Sequence, residues 1–143
     1  MLGSRRSLVL AVAAGALALT GCTQVEEFES TYSPTSVKPL EGHDDIQQVT
    51  FTADAARRAG LQTATVSRLG RETSIPYAAL IYNEEGNTYT YVTRKPLVFV
   101  RERIAVDHIE HGRVVLRRGP PPGTRVVTTG AAEVYSAEFG VEE

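Results

Sequence analysis

The sequence predicts an all-β fold: a compact antiparallel sandwich or partly closed small barrel of about six to seven strands, with one short helix. Three observations predict it. Beyond residue 48, short runs rich in Val, Ile, Thr and Tyr recur between segments carrying Gly, Pro or Asn, the pattern of strands joined by turns. Within several runs every second side chain shares a character, as at Tyr89/Tyr91 and Val98/Val100, which places them on one face of a strand. Only the stretch 52–60 carries helix start and stop signals.

In order, Val49-Thr50-Phe51 is a short β-type run that leads into the helix. Thr52 caps it, Asp54 suits its positive end, Arg57 and Arg58 suit the other end, and Gly60 supplies the left-handed residue that closes it after about two turns. Leu61 to Leu69 alternates as a half-buried strand does. Thr73 to Tyr82 is a strand region in which Pro76 marks an edge or an entry point. Asn83 to Asn87 forms a hairpin loop, and Thr88 to Thr93 returns from it. Arg94-Lys95-Pro96 turns the chain into Leu97 to Asp107, the longest strand. There Glu102 falls on the same face as Val98, Val100, Ile104 and Val106, so either a bulge re-aims it or two shorter strands meet. His108 to Gly112 closes a hairpin into Arg113 to Arg117. The stiff loop Gly119-Pro120-Pro121-Pro122-Gly123 precedes Arg125 to Thr129, Gly130 and a last apolar stretch through Val134 and Tyr135.

The other end of the chain reads differently. Arg5 and Arg6 precede an apolar run, Leu8 to Leu19, which is too short for a bilayer span of about 20 residues and has the form of a secretory signal. The run ends in Leu19-Thr20-Gly21-Cys22, which holds the one cysteine of the chain. Those four residues resemble the lipobox of bacterial lipoproteins. The resemblance implies lipid transfer to the Cys22 thiol, the most readily alkylated side chain near neutral pH, and cleavage before it. The expected organisation is a lipoprotein signal peptide over 1–21, a flexible tether over 22–47 and a β domain over 48–143. Glu26, Glu27 and Glu29 lie beside the anchor, where anionic headgroups repel them and favour an extended stand-off. Ser4-Arg5-Arg6-Ser7-Leu8-Val9 also resembles a twin-arginine export signal, but paired arginines are common in ordinary leaders.

Composition narrows the function classes. With Cys22 lipidated no disulfide is available. Loss of Arg5 and Arg6 with the leader takes the formal balance from −2 to about −4, and no basic patch for nucleic acid emerges. His43-Asp44-Asp45 and His108-x-Glu110-His111 are the only groups that invite a metal. The plainer reading is polar turn chemistry, because a site recruits ligands from separate elements and needs a second shell. No metal or cofactor is therefore assigned. No serine stands in a G-x-S-x-G setting and no Gly-rich loop joins a strand to a helix, so no catalytic residue is assigned either. Arg101 and Arg103 alternate with apolar neighbours; they read as the solvated side of a strand or as a docking surface for an acidic partner. Tyr77, Tyr82, Tyr89, Tyr91 and Phe99 read as core and rim rather than a ligand cage.

Four segments then stand in a telling order: Ile75-Pro76-Tyr77-Ala78-Ala79-Leu80, Thr88-Tyr89-Thr90-Tyr91-Val92, Val100-Arg101-Glu102-Arg103-Ile104-Ala105-Val106, and Pro122-Gly123-Thr124-Arg125-Val126-Val127-Thr128-Thr129-Gly130-Ala131. They resemble the membrane-proximal domain of the periplasmic adaptor proteins, or membrane fusion proteins, of RND-type efflux pumps. Phe51 to Val66 is similar to the entry segment of the same family. Between Val66 and Ile75 only a few residues stand where adaptors carry a lipoyl-type domain, a helical hairpin and a β-barrel, and no heptad stretch is present to build the hairpin. The resemblance implies a truncated adaptor: a non-enzymatic, lipid-anchored accessory protein on the extracytoplasmic face of the cell membrane. It would dock on an RND-type permease or another transporter, with self-association left open. The alternative is a stand-alone surface lipoprotein that binds a ligand or metal.

Overall fold

The computed structural model describes residues 33–140; the expected leader, Cys22 and the tether as far as residue 32 lie outside the described residues, as do 141–143. Thr35–Leu40 (β1) and His43–Phe51 (β2) pair as a hairpin around Glu41-Gly42. This corrects the expected tether over 22–47, because the folded domain begins near Thr35 rather than at residue 48. β1 is an edge strand with Ser36 to Pro39 exposed, so it has no apolar alternation to betray it. Its Pro39 is of a kind tolerated only at an edge.

The helix Ala53–Arg58 (α1) forms where the sequence places it. Thr52 Oγ1 accepts from the Ala55 N–H at 3.1 Å, and Gly60 takes φ 62° just beyond the C-cap. The single strand expected over Leu61 to Leu69 is instead two, Gln62–Thr65 (β3) and Ser67–Leu69 (β4), which belong to different sheets. Val66, 1% exposed, is the corner between them, exchanging backbone hydrogen bonds with Gly123 and Thr124. Glu72–Pro76 (β5) follows, then a 3₁₀ turn at Tyr77–Ala79, Ile81–Tyr82 (β6) and Thr88–Lys95 (β7). The longest expected strand also divides, into Val98–Arg103 (β8) and Ala105–Glu110 (β9), with Ile104 at the corner. Of the two explanations for the misplaced Glu102, the meeting of two shorter strands is correct. Arg113–Arg118 (β10), Arg125–Thr129 (β11) and a second helix, Ala131–Phe139 (α2), are the last elements among the described residues.

Among the described residues the strands form two antiparallel sheets and no closed barrel, consistent with the all-β sandwich expectation. The larger, seven-stranded sheet runs β1-β2-β8-β7-β11-β3, with β6 added to β7; the smaller runs β4-β5-β10-β9. The segments before and after the expected junction zip together, β2 against β8 and β3 against β11. Val92, Val100 and Val126 of the large sheet pack on Ile75, Val114 and Leu116 of the small one. Their sequence neighbours Tyr91, Phe99 and Val127 face the other way and pack against Ala55 and Ala56 of α1 and Val134 of α2. Consecutive residues are thus buried on both faces, which is why these strands carry unbroken apolar pairs. Each such side chain contributes roughly 1.5–3 kcal/mol of transfer free energy.

α2 occupies the stretch read as a last apolar segment. Three alanines and two glutamates favour helix, and Val134 and Glu138, one turn apart, are both buried toward the sheet. Glu138 in an apolar register is what hides the helix from a search for hydrophobic period.

Glu102 is half-buried in β8. Desolvation raises its pKa above the usual 4.5, and the nearby Arg94 opposes this. A carboxyl whose folded pKa is raised favours the folded state only while protonated, so its contribution is lost as pH climbs through that value. Glu102→Gln is therefore expected to raise the melting temperature at pH 7, and the gain should vanish as pH falls below about 4.5. Thermal melts at pH 4 and pH 7 check it.

Candidate functional site

Arg101 is the residue whose role the tertiary structure changes most. Alternation in β8 places Phe99 and Arg101 on the helix side of the large sheet, beneath α2. The guanidinium Nε donates to Glu138 Oε1 at 3.1 Å, and Nη2 donates to the Asp45 carbonyl at 3.3 Å. Its Cζ lies 4.8 Å from the Tyr89 ring centroid and 5.0 Å from that of Phe139, within range for cation–π attraction. Glu138 Oε2 accepts from the Tyr91 hydroxyl at 2.5 Å. The Arg101 and Glu138 side chains are only 11% and 1% exposed. Burial first, and the adjacent Glu138 second, hold the Tyr91 phenol well above its ordinary range. This is a polar latch that clamps α2 to the sheet, and it corrects the expectation of Arg101 as a solvated or docking cation. Arg103, two residues on, is exposed, and its Nη2 donates to Asn87 Oδ1 at 2.8 Å. Asn87 in turn donates its backbone N–H to Asn83 Oδ1, so Arg103 braces the β6–β7 loop. The two arginines therefore do not form one docking pair.

The histidine turn is arranged by its own neighbours. His111 and Gly112, both at positive φ, make the two-residue turn between β9 and β10, a geometry that matches the twist of a hairpin. His108 Nδ1 sits 2.8 Å from Asp107 Oδ2, which is the main cause of its raised pKa. His108 and His111 each approach Glu110 only to 3.8 Å. Among the described residues no cluster of three or more His, Cys, Asp or Glu side chains is placed to hold a metal ion. His43 and Asp45 are exposed in β2; the Asp44 side chain lies outside what is described.

The aromatic residues divide. Tyr91 and Phe99 are core and Tyr89 is half-buried, but Tyr77 and Tyr82 are 52% and 54% exposed. Phe139, which the sequence did not single out, is 49% exposed and packs on Tyr135 with ring centroids 4.6 Å apart. A recess of about 360 Å³ opens among Asn83, Glu84, Glu85, Arg101, Tyr135 and Phe139. Its neighbour, about 470 Å³, is lined by Leu80, Tyr82, Ala132 and again Tyr135. The result is a surface with aromatic side chains beside two glutamates, held in place by the latch beneath. Tyr, Trp and Phe are the residues enriched in protein interfaces, and they anchor best over a rigid base. The helix register of Tyr135 and Phe139, four apart, was the available signal, but it is visible only once α2 is known to be a helix.

Among the described residues no helix is long and apolar enough to cross a membrane, which says nothing of a β-barrel. Comparison of the chain with protein-family models, with curated proteins and with solved structures finds no match.

Proposed function

We propose that the protein is a lipid-anchored, extracytoplasmic docking module: an adaptor-like accessory protein of a transmembrane efflux or transport system, acting by protein–protein contact and not by catalysis. The observation that carries this reading is the pairing of the segment before the junction with the strands after it, β2 with β8 and β3 with β11. That pairing is what an adaptor membrane-proximal domain would need in order to stand without its long middle. Cys22 tethers the module, and Tyr82, Tyr135 and Phe139 are its contact residues. Glu84 and Glu85 steer it toward a basic extracytoplasmic surface of an RND-type permease, an effect that salt weakens. Arg101 acts by holding α2 in place, and Arg103 by bracing the loop.

Two measurements test the reading. Cys22→Ser is expected to move the protein from the membrane fraction to the soluble fraction; a protein still sedimenting with membranes would contradict the anchor. Tyr82→Ala with Glu84→Gln, both exposed, is expected to abolish co-purification with a co-expressed RND-type permease at an unchanged melting temperature. Absence of co-purification by the wild-type protein across RND-type permeases would overturn the docking assignment.

A further inference from the structure

The helix-facing side of the large sheet is not fully covered. Register places Phe99 of β8, Thr93 of β7 and Arg125 of β11 side by side in one row across that face. α2 and its latch lie over the neighbouring row that contains Tyr91 and Val127. α1 and Leu61 form one wall of the open part, and the end of β7 with the Pro96-Leu97 turn forms the other, enclosing a groove of about 570 Å³. Volumes of this order are typical of small-molecule sites. The apolar surface comes from Ala56, Leu61, Leu97 and Phe99.

The polar lining of the groove is one-sided. Arg57, Arg94, Lys95 and Arg125 line it, and among the described residues no acidic one does, in a chain whose formal charge is −2. Arg57 is paired with Asp54. Arg94, Lys95 and Arg125 have no carboxylate within salt-bridge distance among the described residues, and Arg125 is held by the Thr63 hydroxyl and carbonyl. Glu102, near Arg94, shares a separate recess with Arg94 and Arg125 and does not line the groove, so the groove's own lining is cationic and attracts an anion that enters it. The turn has a second peculiarity. Pro96-Leu97 makes the β7–β8 connection with Leu97 at φ 62°, a position that glycine or asparagine occupies without strain. The strain holds an isobutyl side chain against the helix-side core and in the lining of the groove.

We propose that this groove binds a free amphipathic carboxylate, its head among Arg94, Lys95 and Arg125 and its apolar tail over Leu61, Leu97 and Phe99. The site is independent of the docking surface beside α2, so either assignment can stand without the other. The test uses the full chain with Cys22→Ser, so that no lipid or detergent competes, and three probes: decanoate, decanol and acetate. Decanoate is expected to raise the melting temperature with dose, as any ligand of the folded state does. Decanol lacks the charge and acetate lacks the tail, and each should give little or no shift at equal concentration. Arg94→Gln with Lys95→Gln, both exposed, should still unfold in one cooperative transition and weaken decanoate binding by calorimetry about tenfold or more, the loss of two charge-assisted contacts. Equal responses to decanoate and decanol, or an unchanged affinity in the double variant, would overturn the proposal. So would binding to phosphatidylglycerol vesicles or an acidic peptide without any response to free decanoate.

Discussion

Glu138→Ala is expected to destabilise the protein by about 3–5 kcal/mol, the usual result of removing one partner from a buried ion pair. The expected effect is large because Glu138 serves two partners at once, Arg101 through Oε1 and Tyr91 through Oε2, at 1% side-chain exposure. Alanine would leave a guanidinium beneath α2 with only the Asp45 carbonyl and two ring faces as company. It would also leave a buried phenol without its acceptor, at a further desolvation cost. In a domain of this size each kcal/mol moves the midpoint by roughly 4–8 °C, so the melting temperature should fall by more than about 10 °C. Urea unfolding measures the loss, and near-ultraviolet circular dichroism of the tyrosines reports whether α2 has loosened. A fall under about 1 kcal/mol would mean that the latch is not closed in solution. The triple replacement Tyr91→Phe, Arg101→Met and Glu138→Leu should recover most of the stability, because apolar groups of similar volume can substitute for a buried ion pair once the phenol that Glu138 also served is removed.

The same latch predicts an alkaline limit. In the unfolded chain a tyrosine ionises near pH 10, whereas burial and Glu138 hold the Tyr91 phenol above that in the folded state. The unfolded chain therefore binds fewer protons than the folded one above pH 10, and stability falls as pH rises, by up to about 1.4 kcal/mol per pH unit. Tyr91→Phe should remove that slope between pH 9 and 11, whatever it does to stability at neutral pH.

Gly130→Ala is the second large effect, at an expected cost of about 2–4 kcal/mol, of which left-handed backbone accounts for about 1–2 and overpacking for the remainder. Gly130 takes φ 79° at the N-cap of α2. A Cβ there would overlap Leu61 Cδ2 and stand 3.1 Å from the Ala59 carbonyl oxygen, which is backbone and cannot swing aside. The turn after α1 and the turn before α2 thus meet at a point with room only for hydrogen. Gly86→Ala isolates the backbone part, since Gly86 has φ 78° with nothing within 4 Å of an added Cβ. It should cost only about 1–2 kcal/mol. Equal losses at the two positions, measured by urea unfolding, would dismiss the steric argument.

Much of the fold is legible because its signals are local. Thr52, Asp54, Arg57, Arg58 and Gly60 mark α1 by capping and dipole chemistry that acts within a few residues. The turns at 96–97 and 111–112, shorter than the expected 94–96 and 108–112 because β7 and β9 run into them, are marked by Pro96 and Gly112 in the same way. β1 escaped notice because an edge strand buries little and has no period to show. The corners at Val66 and Ile104 escaped because an alternating pattern looks the same whether a strand stays in its sheet or crosses to another. α2 is hidden because Glu138 interrupts its apolar stripe, and Arg101 looks solvated for the same reason: the charge that pairs with it lies 37 residues away.

From the residues alone came the all-β class, the first helix, most of the turns and the lipobox-like run ending in Cys22, all of them properties of short stretches. Only the three-dimensional packing decided that a third, helical layer covers the large sheet and that Arg101 serves as a clamp. The same packing gathered Arg94, Lys95 and Arg125 around one apolar groove. Those outcomes depend on residues far apart in the chain, and the free energy of burying a charge is set by what lies opposite it in space rather than by what lies beside it in sequence.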